Sequence, residues 1–301
     1  MQSRLLLILI LNHLIGDFVI QSKYLCSLRY QKMKAKNRKI ARKQMLLGNL
    51  IHCLLHMFSL ICLLFIFMSR IDNIQMRQVI IRSSIDLVSH FCIDYAKSYW
   101  IYYHPKQEKN LLVFLLDQIM HLGVIAILLR HKLIDLLNAI LRSIETGSLV
   151  LSPKPVERVL LISILIVFAT SFAAVFISIF MESLDEYNDE IYRTSKSNHK
   201  YFAIASESAI QIKSLDKQSI EEEVDGEILK GGYMIGILER IFIIIAICNN
   251  IPQLIGFMIT VKSIARMKKM AKDKFAEYFL IGNLLSLLFA ILPGLMICYF
   301  I

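Results

Sequence analysis

Histidine and aspartate residues recur in pairs, four residues apart, in the first half of this sequence. Residues with this spacing lie one above the other on the same face of an α-helix, so each pair forms a short polar stripe. Imidazole and carboxylate groups together are ligands that suit zinc, manganese or iron. The spacing therefore predicts a divalent-metal site. The pairs are His13 with Asp17, His52 with His56, His90 with Asp94, and Asp117 with His121.

The same residue types could perform hydrolysis. A divalent ion lowers the pKa of a water ligand to about 7, and a nearby carboxylate can then accept the proton. Asp17 and Asp94 are the candidates for that base. Lys97 and Gln118 stand close to the paired residues, and we expect them to stabilise the negative charge that develops during the reaction.

The elements that must position these pairs are long apolar segments. The chain is 56% hydrophobic and 19% charged, with a mean hydropathy of +0.57, whereas soluble proteins are roughly 45–50% apolar and about 25% charged. This composition excludes an ordinary soluble protein. The net charge of +10 resides in short loops, so we expect no nucleic-acid partner. Six scattered cysteines argue against disulfide frameworks and thiolate zinc sites.

The apolar segments predict an all-α fold, a polytopic integral membrane helical bundle of about seven to eight membrane helices. A membrane-spanning helix needs about 20 apolar residues. Val79–Ile101 is rich in charge and is either a span shielded by its neighbours or a re-entrant helix. The candidate spans are Leu5–Gln21, Met45–Met68, Val79–Ile101, Leu111–Leu129, Val156–Met181, Tyr233–Cys248, Pro252–Ala265 and Tyr278–Ile301.

Basic loops predict the orientation. Residues 22–44 contain nine Lys or Arg and no acid, so the positive-inside rule places them in the cytoplasm. The basic residues 262–274 are expected on the same side, so an even number of spans must lie between the two loops. This condition favours a full crossing by Val79–Ile101. With this topology the four stripes lie at one height, near the inner side of the bundle. Facing helices in bundles build metal sites in this way.

Composition also predicts the division of the chain. Residues 182–227 contain twelve Asp or Glu against five Lys or Arg. We therefore predict an amino-terminal His/Asp-bearing bundle (residues 1–181), an acidic hydrophilic cytoplasmic loop (182–229), and a carboxy-terminal helical hairpin plus final span (230–301). The acidic loop is a candidate site for a protein partner.

Several short motifs resemble a family of bacterial membrane proteins, the domain of unknown function 3307. In the first half they are His13-Leu-Ile-Gly-Asp17, His52 with His56, His90-Phe-Cys-Ile-Asp94 and Asp117-Gln118-Ile-Met-His121. Further motifs begin at Gly236, Ile255 and Ala276. The resemblance implies a multi-pass protein of the bacterial cytoplasmic (inner) membrane. The first motif also looks like the His and Asp pattern of membrane-bound metal-dependent hydrolases.

The carboxy-terminal half has charges of its own within an apolar segment. Glu239 and Arg240 are adjacent, so they cannot face each other on a helix and each needs a separate partner. One interpretation is an interhelical ion-pair network. The alternative is an anion-binding patch for a lipid phosphate, formed by Lys97, Arg240, Lys262 and Arg266.

Three functions are compatible with these patterns. The first is a metal-dependent hydrolase acting near the inner leaflet on a lipid-linked or phosphoester substrate, with membrane lipid as its partner. The second is a divalent-cation or proton transporter or channel, because aligned His and Asp residues also line ion pathways. The apolar outer halves of the spans favour the first over the second. The third is a non-catalytic membrane signalling or scaffold protein.

Overall fold

The computed structural model describes residues 2–30, 38–68, 73–135, 153–184, 218–270 and 273–300, together with residues 138 and 142. Every regular element in these ranges is a helix, which confirms the all-α prediction. The main elements are α1 (Gln2–Ile15), α2 (Lys23–Arg29), α3 (Arg38–Phe67), α4 (Asn73–Tyr103), α5 (Leu111–Leu128), α6 (Pro155–Val167), α7 (Gln218–Cys248), α8 (Gln253–Met270) and α9 (Asp273–Phe300).

Local side chains define where several helices begin. Ser22 caps α2, because its Oγ accepts a hydrogen bond from the backbone N–H of Leu25 at 3.2 Å. Asn110 caps α5 in the same way, with two backbone N–H groups donating to its Oδ1. Pro155 is the first residue of α6, where its missing N–H costs nothing. Short π-helical segments follow two helices, Gly16–Ile20 after α1 and Phe168–Phe172 after α6.

Five helices of the described chain are long and apolar enough to span a membrane, so the molecule has the helices of a membrane protein. The predicted count of seven to eight is not confirmed. In α4 the reason is charge, since Arg82, Asp86 and Asp94 stand within its central turns. The five candidate spans are Ser3–Ile20, Arg38–Phe67, Leu111–Leu128, Pro155–Leu184 and Ala276–Phe300, and Gln253–Ala265 is a shorter apolar helix.

The chain forms two compact units, Met1–Phe172 with Met296–Ile301, and Ala173–Leu295. In the first unit α1 contacts α3, α5 and α6, while α4 contacts α3 and α5. Helices α1, α3, α4 and α5 therefore close into a four-helix arrangement, which α6 covers on the α1 side. These four helices carry the four predicted stripes.

One end of this four-helix arrangement is filled by an apolar cluster. It combines the first turns of α1 with the last turns of α3 and α5 and with Val79 near the start of α4. All of its members are buried apolar side chains. The cluster consists of Leu5, Leu6, Leu7, Ile8, Leu9, Leu11, Leu60, Leu63, Met68, Val79, Ile125, Leu129 and Leu160.

In the second unit, α7 ends at a left-handed residue, Asn250, with φ of 57°. The N–H of Ile251 donates to the carbonyl of Ala246, which is a Schellman-type helix end. Helix α8 then returns along α7. The predicted domain boundaries at residues 181 and 229 stay a prediction, and residues 185–217 of the acidic loop lie outside the described residues.

Candidate metal centre

Helices α1, α3, α4 and α5 bring all eight predicted metal ligands into one buried group. Seven of them are buried residues, and the Asp17 side chain is 8% exposed. Each pair keeps the same-face arrangement predicted from its spacing. Contacts within and between the pairs connect the group into one cluster, which consists of His13, Asp17, His52, His56, His90, Asp94, Asp117 and His121.

Asp17 lies at the centre of the cluster. Its Oδ1 is 3.0 Å from Nε2 of His56, 3.2 Å from Nε2 of His52 and 3.6 Å from Nε2 of His90. The Nε2 atoms of His52 and His90 are 3.4 Å apart. Ligand atoms around a tetrahedral zinc ion, with bonds of about 2.1 Å, stand about 3.4 Å from one another. The four side chains are therefore spaced as the ligands of a single ion.

Asp94 and Asp117 both face imidazoles, and Asp94 does so with both oxygens, since its Oδ1 lies 3.6 Å from Nε2 of His121. Oδ2 of Asp94 is 3.3 Å from Nε2 of both His52 and His90. Oδ1 of Asp117 is 3.7 Å from Nε2 of His121. The other oxygen of each carboxylate bonds a cation, since Arg29 contacts Oδ1 of Asp94 at 2.6 Å and Lys97 contacts Oδ2 of Asp117 at 2.7 Å. These cations fix the orientation of both carboxylates.

Arg29 contacts the cluster through Asp94, although the sequence analysis used this residue only to predict the topology. It is almost completely buried, and its Nε donates to Oδ1 of Asn49 at 3.0 Å. Burial by itself lowers the pKa of this guanidinium, but Asp94 together with Tyr30, Asp17 and Asp117 more than offsets that effect and raises the pKa above its ordinary value. Gly48 makes the position possible, because a Cβ there would lie 2.9 Å from the backbone N of Arg29.

The sequence offered one weak signal for Arg29. In α2, Leu25 and Arg29 are four residues apart and both are buried. Most basic residues in loops are exposed, so an arginine on the same helix face as a buried leucine is unusual. Its eight basic neighbours in residues 22–44 hide that signal.

Gln118 and Lys97 have partners inside the cluster. Nε2 of His13 lies 3.1 Å from Oε1 of Gln118, and Nε2 of Gln118 donates to Oδ2 of Asp117 at 3.1 Å. The amide oxygen of Gln118 can only accept, so Nε2 of His13 carries the proton and Nδ1 has a lone pair. Gln118 thus connects two predicted ligands, as outer partners of metal sites do. Its predicted catalytic role, and that of Lys97, stay predictions.

In the carboxy-terminal unit, Glu239 and Lys262 form an ion pair at 2.6 Å. Arg240 donates from Nη1 to Oγ of Ser286 at 3.3 Å. These contacts are those of the predicted ion-pair network. The side chain of Arg266 lies outside the described residues, so the alternative anion-binding patch stays a prediction.

Gly16 gives His56 its place beside Asp17. A Cβ at Gly16 would stand 2.2 Å from both Cε1 and Nε2 of His56. We therefore expect Gly16→Ala to displace this ring and to weaken zinc binding by about 10–100-fold, as loss of a supporting contact does. Isothermal titration of purified protein with Zn²⁺ measures the change.

Gly123→Ala is the matched control for this substitution, because nothing lies within 4 Å of a Cβ at Gly123. It should leave the affinity unchanged and slightly favour the α5 helix. Equal zinc affinities in the two alanine variants would contradict the assigned role of Gly16.

Three sets of ligand atoms in the described chain are close enough to hold an ion, each set lying within 4.8 Å. They are Asp17 with His52, His56 and His90; His13 with His90 and His121; and Asp17 with Asp117 and His121. The fold and the cluster define a class, namely a helical protein with membrane-type spans and a buried His/Asp group that could bind metal.

Residues 5–151 match the family described as "Protein of unknown function (DUF3307)", which confirms the resemblance seen in the sequence. The matched residues, just under half of the chain, contain every residue of the cluster. The motifs that begin at Gly236, Ile255 and Ala276 lie beyond the matched residues. Comparisons with curated proteins and with solved structures found no match.

Proposed function

We propose that this protein is a metal-dependent hydrolase that acts at the inner leaflet of the bacterial cytoplasmic membrane, on a phosphoester or lipid-linked substrate. The observation that carries the proposal is the convergence of three imidazole Nε2 atoms on Oδ1 of Asp17, at 3.0–3.6 Å. We propose zinc, manganese or iron as the ion, because imidazole and carboxylate ligands suit these metals.

The charges of the cluster support a bound cation. Asp94 is paired with Arg29, and Asp117 is paired with Lys97. Asp17 contacts only histidines among the charged or titratable side chains described. A buried carboxylate without a compensating charge is costly, and a metal ion surrounded by these imidazoles removes that cost.

The cluster also supplies a candidate base. When bound, a divalent ion acts as a Lewis acid and acidifies a water molecule. Oδ2 of Asp94 has no hydrogen-bond partner among the described residues, while its Oδ1 is bonded to Arg29. The carboxylate is thus held in place with one oxygen able to accept a proton.

The apolar cluster supports hydrolysis over transport. A pathway for ions continues as polar side chains across the bilayer. Here the four-helix arrangement is filled on one side of the His/Asp cluster by leucine, isoleucine and other apolar side chains. On the other side lie polar buried residues, Arg29, Asn49 and Ser98, connected by hydrogen bonds. We propose that substrate reaches the cluster from this polar side, as in an enzyme that takes its substrate from one leaflet.

The test uses the full chain purified in detergent. Elemental analysis is expected to find bound metal. Assays with bis(p-nitrophenyl) phosphate, p-nitrophenyl phosphate and phospholipid in mixed micelles should detect hydrolysis. Asp94→Asn should keep metal and lower kcat by about 10²–10⁴-fold, as loss of a general base does.

Asp135→Asn is the control for Asp94→Asn, since Asp135 is 63% exposed and pairs only with Lys132 among the described side chains. Absence of metal from the wild-type protein would refute the proposal. Metal-loaded protein that hydrolyses none of the three substrates, but takes up Mn²⁺ into proteoliposomes, would instead favour the transporter.

The proposed protein partner would bind the acidic loop, most of which lies outside the described residues.

A further inference from the structure

We propose that the cluster holds two metal ions, with the second bound by His13, Asp117 and His121 and shared through Asp17. This inference rests on the proposed function and deepens it. The first ion uses Asp17, His52, His56 and His90, which form one of the three ligand sets. The other four predicted ligands, His13, Asp94, Asp117 and His121, have no part in binding this first ion.

The unexplained ligands carry buried atoms in need of a partner. Nδ1 of His13, Oδ1 of Asp117 and Nε2 of His121 are inaccessible to solvent and have no hydrogen-bond partner among the described residues. The three residues are 3–6% exposed. Unsatisfied buried polar atoms are rare in proteins because each costs about 1–3 kcal/mol. His121 shares one ligand set with His13 and another with Asp17 and Asp117, so an ion beside His121 would give these atoms a partner.

The surrounding contacts prepare these atoms as ligands. Oε1 of Gln118 accepts a hydrogen bond from the N–H at Nε2 of His13, so Nδ1 has its lone pair available. Lys97 and Gln118 both donate to Oδ2 of Asp117, which leaves Oδ1 facing Nε2 of His121 at 3.7 Å. Outer contacts of this kind orient the ligands of metal sites.

Asp17 is placed to bridge the two ions. It belongs to the set with His52, His56 and His90, and also to the set with Asp117 and His121. Its Oδ1 faces the three imidazoles of the first set, whereas its Oδ2 lies 3.8 Å from Nδ1 of His13. A carboxylate with its two oxygens on two neighbouring sets is the bridging ligand of two-metal hydrolases, in which the ions are about 3.5–4 Å apart.

Two ions also narrow the substrate class. The three carboxylates of the cluster are accompanied by two basic side chains, Arg29 and Lys97. Two divalent ions therefore leave the site with a net positive charge. A phosphate ester neutralises that charge, and two metal ions stabilise the attacking and leaving oxygens of its displacement. The geometry thus favours a phosphoester over an uncharged acyl ester.

The decisive measurement needs no substitution. Wild-type protein is titrated with Mn²⁺ and examined by electron paramagnetic resonance, together with elemental analysis. We expect two ions per chain and the exchange-coupled multiline spectrum of a manganese pair. Saturation at one ion per chain, with the six-line spectrum of isolated Mn²⁺, would overturn the second site and leave the proposed function intact. No bound ion at all would defeat both.

Substitution of a ligand that belongs to the second ion alone gives an independent test. His121→Ala should lower the stoichiometry from two to one and remove the coupled spectrum. His104→Ala is the control, because His104 is exposed and its ring stacks on Trp100 outside the cluster. If His121→Ala keeps two ions with their coupling, the assignment of the second site is wrong.

Discussion

Replacing Asp17 with asparagine should abolish metal binding more completely than any other single substitution in this protein. The amide keeps the shape of the side chain but removes the negative charge on which three imidazole Nε2 atoms converge. Loss of an outer partner of a metal site costs roughly 10–100-fold in affinity. Loss of this central ligand is therefore expected to cost at least about 100-fold.

The expected loss can be measured as metal-dependent stabilisation. A ligand present at 100 times its Kd stabilises the folded state by about 2.7 kcal/mol. Wild-type protein should therefore unfold at a higher temperature with excess Zn²⁺ than without it, and Asp17→Asn should show no such difference. Asp135→Asn, which changes an exposed aspartate in the same way, should behave as wild type. A full zinc-induced rise in Asp17→Asn would contradict the central role of Asp17.

Arg29→Leu is expected to destabilise the fold strongly even without metal. Arg29 and Asp94 are both buried and form a 2.6 Å ion pair. Removing one partner of a buried pair leaves the other charge uncompensated, which costs about 3–5 kcal/mol. The midpoint of unfolding in mixed detergent micelles, measured in a chelator, reports this change.

Two further variants separate charge from packing. Arg42→Leu removes an exposed arginine from the same basic region and should have little effect. The double variant Arg29→Leu with Asp94→Asn removes both charges and should recover much of the lost stability. Failure of the double variant to recover would mean that Arg29 acts through its contact with Asn49 instead.

The cluster could be predicted from the sequence because helical periodicity is a strong rule. His13 with Asp17, and Asp117 with His121, had to share a face wherever their helices packed. The common height of the stripes followed from the alternation of spans. Both inferences depend on the helix backbone and not on side-chain rotamers. The sequence was therefore enough to predict that these residues come together.

Arg29, by contrast, could not be predicted, because its burial depends on tertiary packing. The Ser22 cap starts α2, and Gly48 lets that helix approach α3 closely. Only then does the guanidinium reach Asp94. Gln118 shows the same limit, because its contacts depend on its rotamer. The sequence does not specify that rotamer, and so could not predict that the amide contacts His13.

The number of membrane helices was less predictable for a related reason. Hydropathy treats each charge as if it faced lipid, yet α4 packs against α3 and α5. Asp94 and Lys97 of α4 each have a partner in the bundle. A sequence cannot reveal which charges are compensated in this way, so α4 does not meet the criteria of an apolar span.

The apolar cluster formed by the leucine-rich start of α1 and the ends of α3 and α5 fills one end of the four-helix arrangement. If the His/Asp cluster is the proposed active site, substrate and product would have to use the same route at the other end. A released phosphate group would then have to leave before the next ester enters, so we would expect the product to inhibit the reaction.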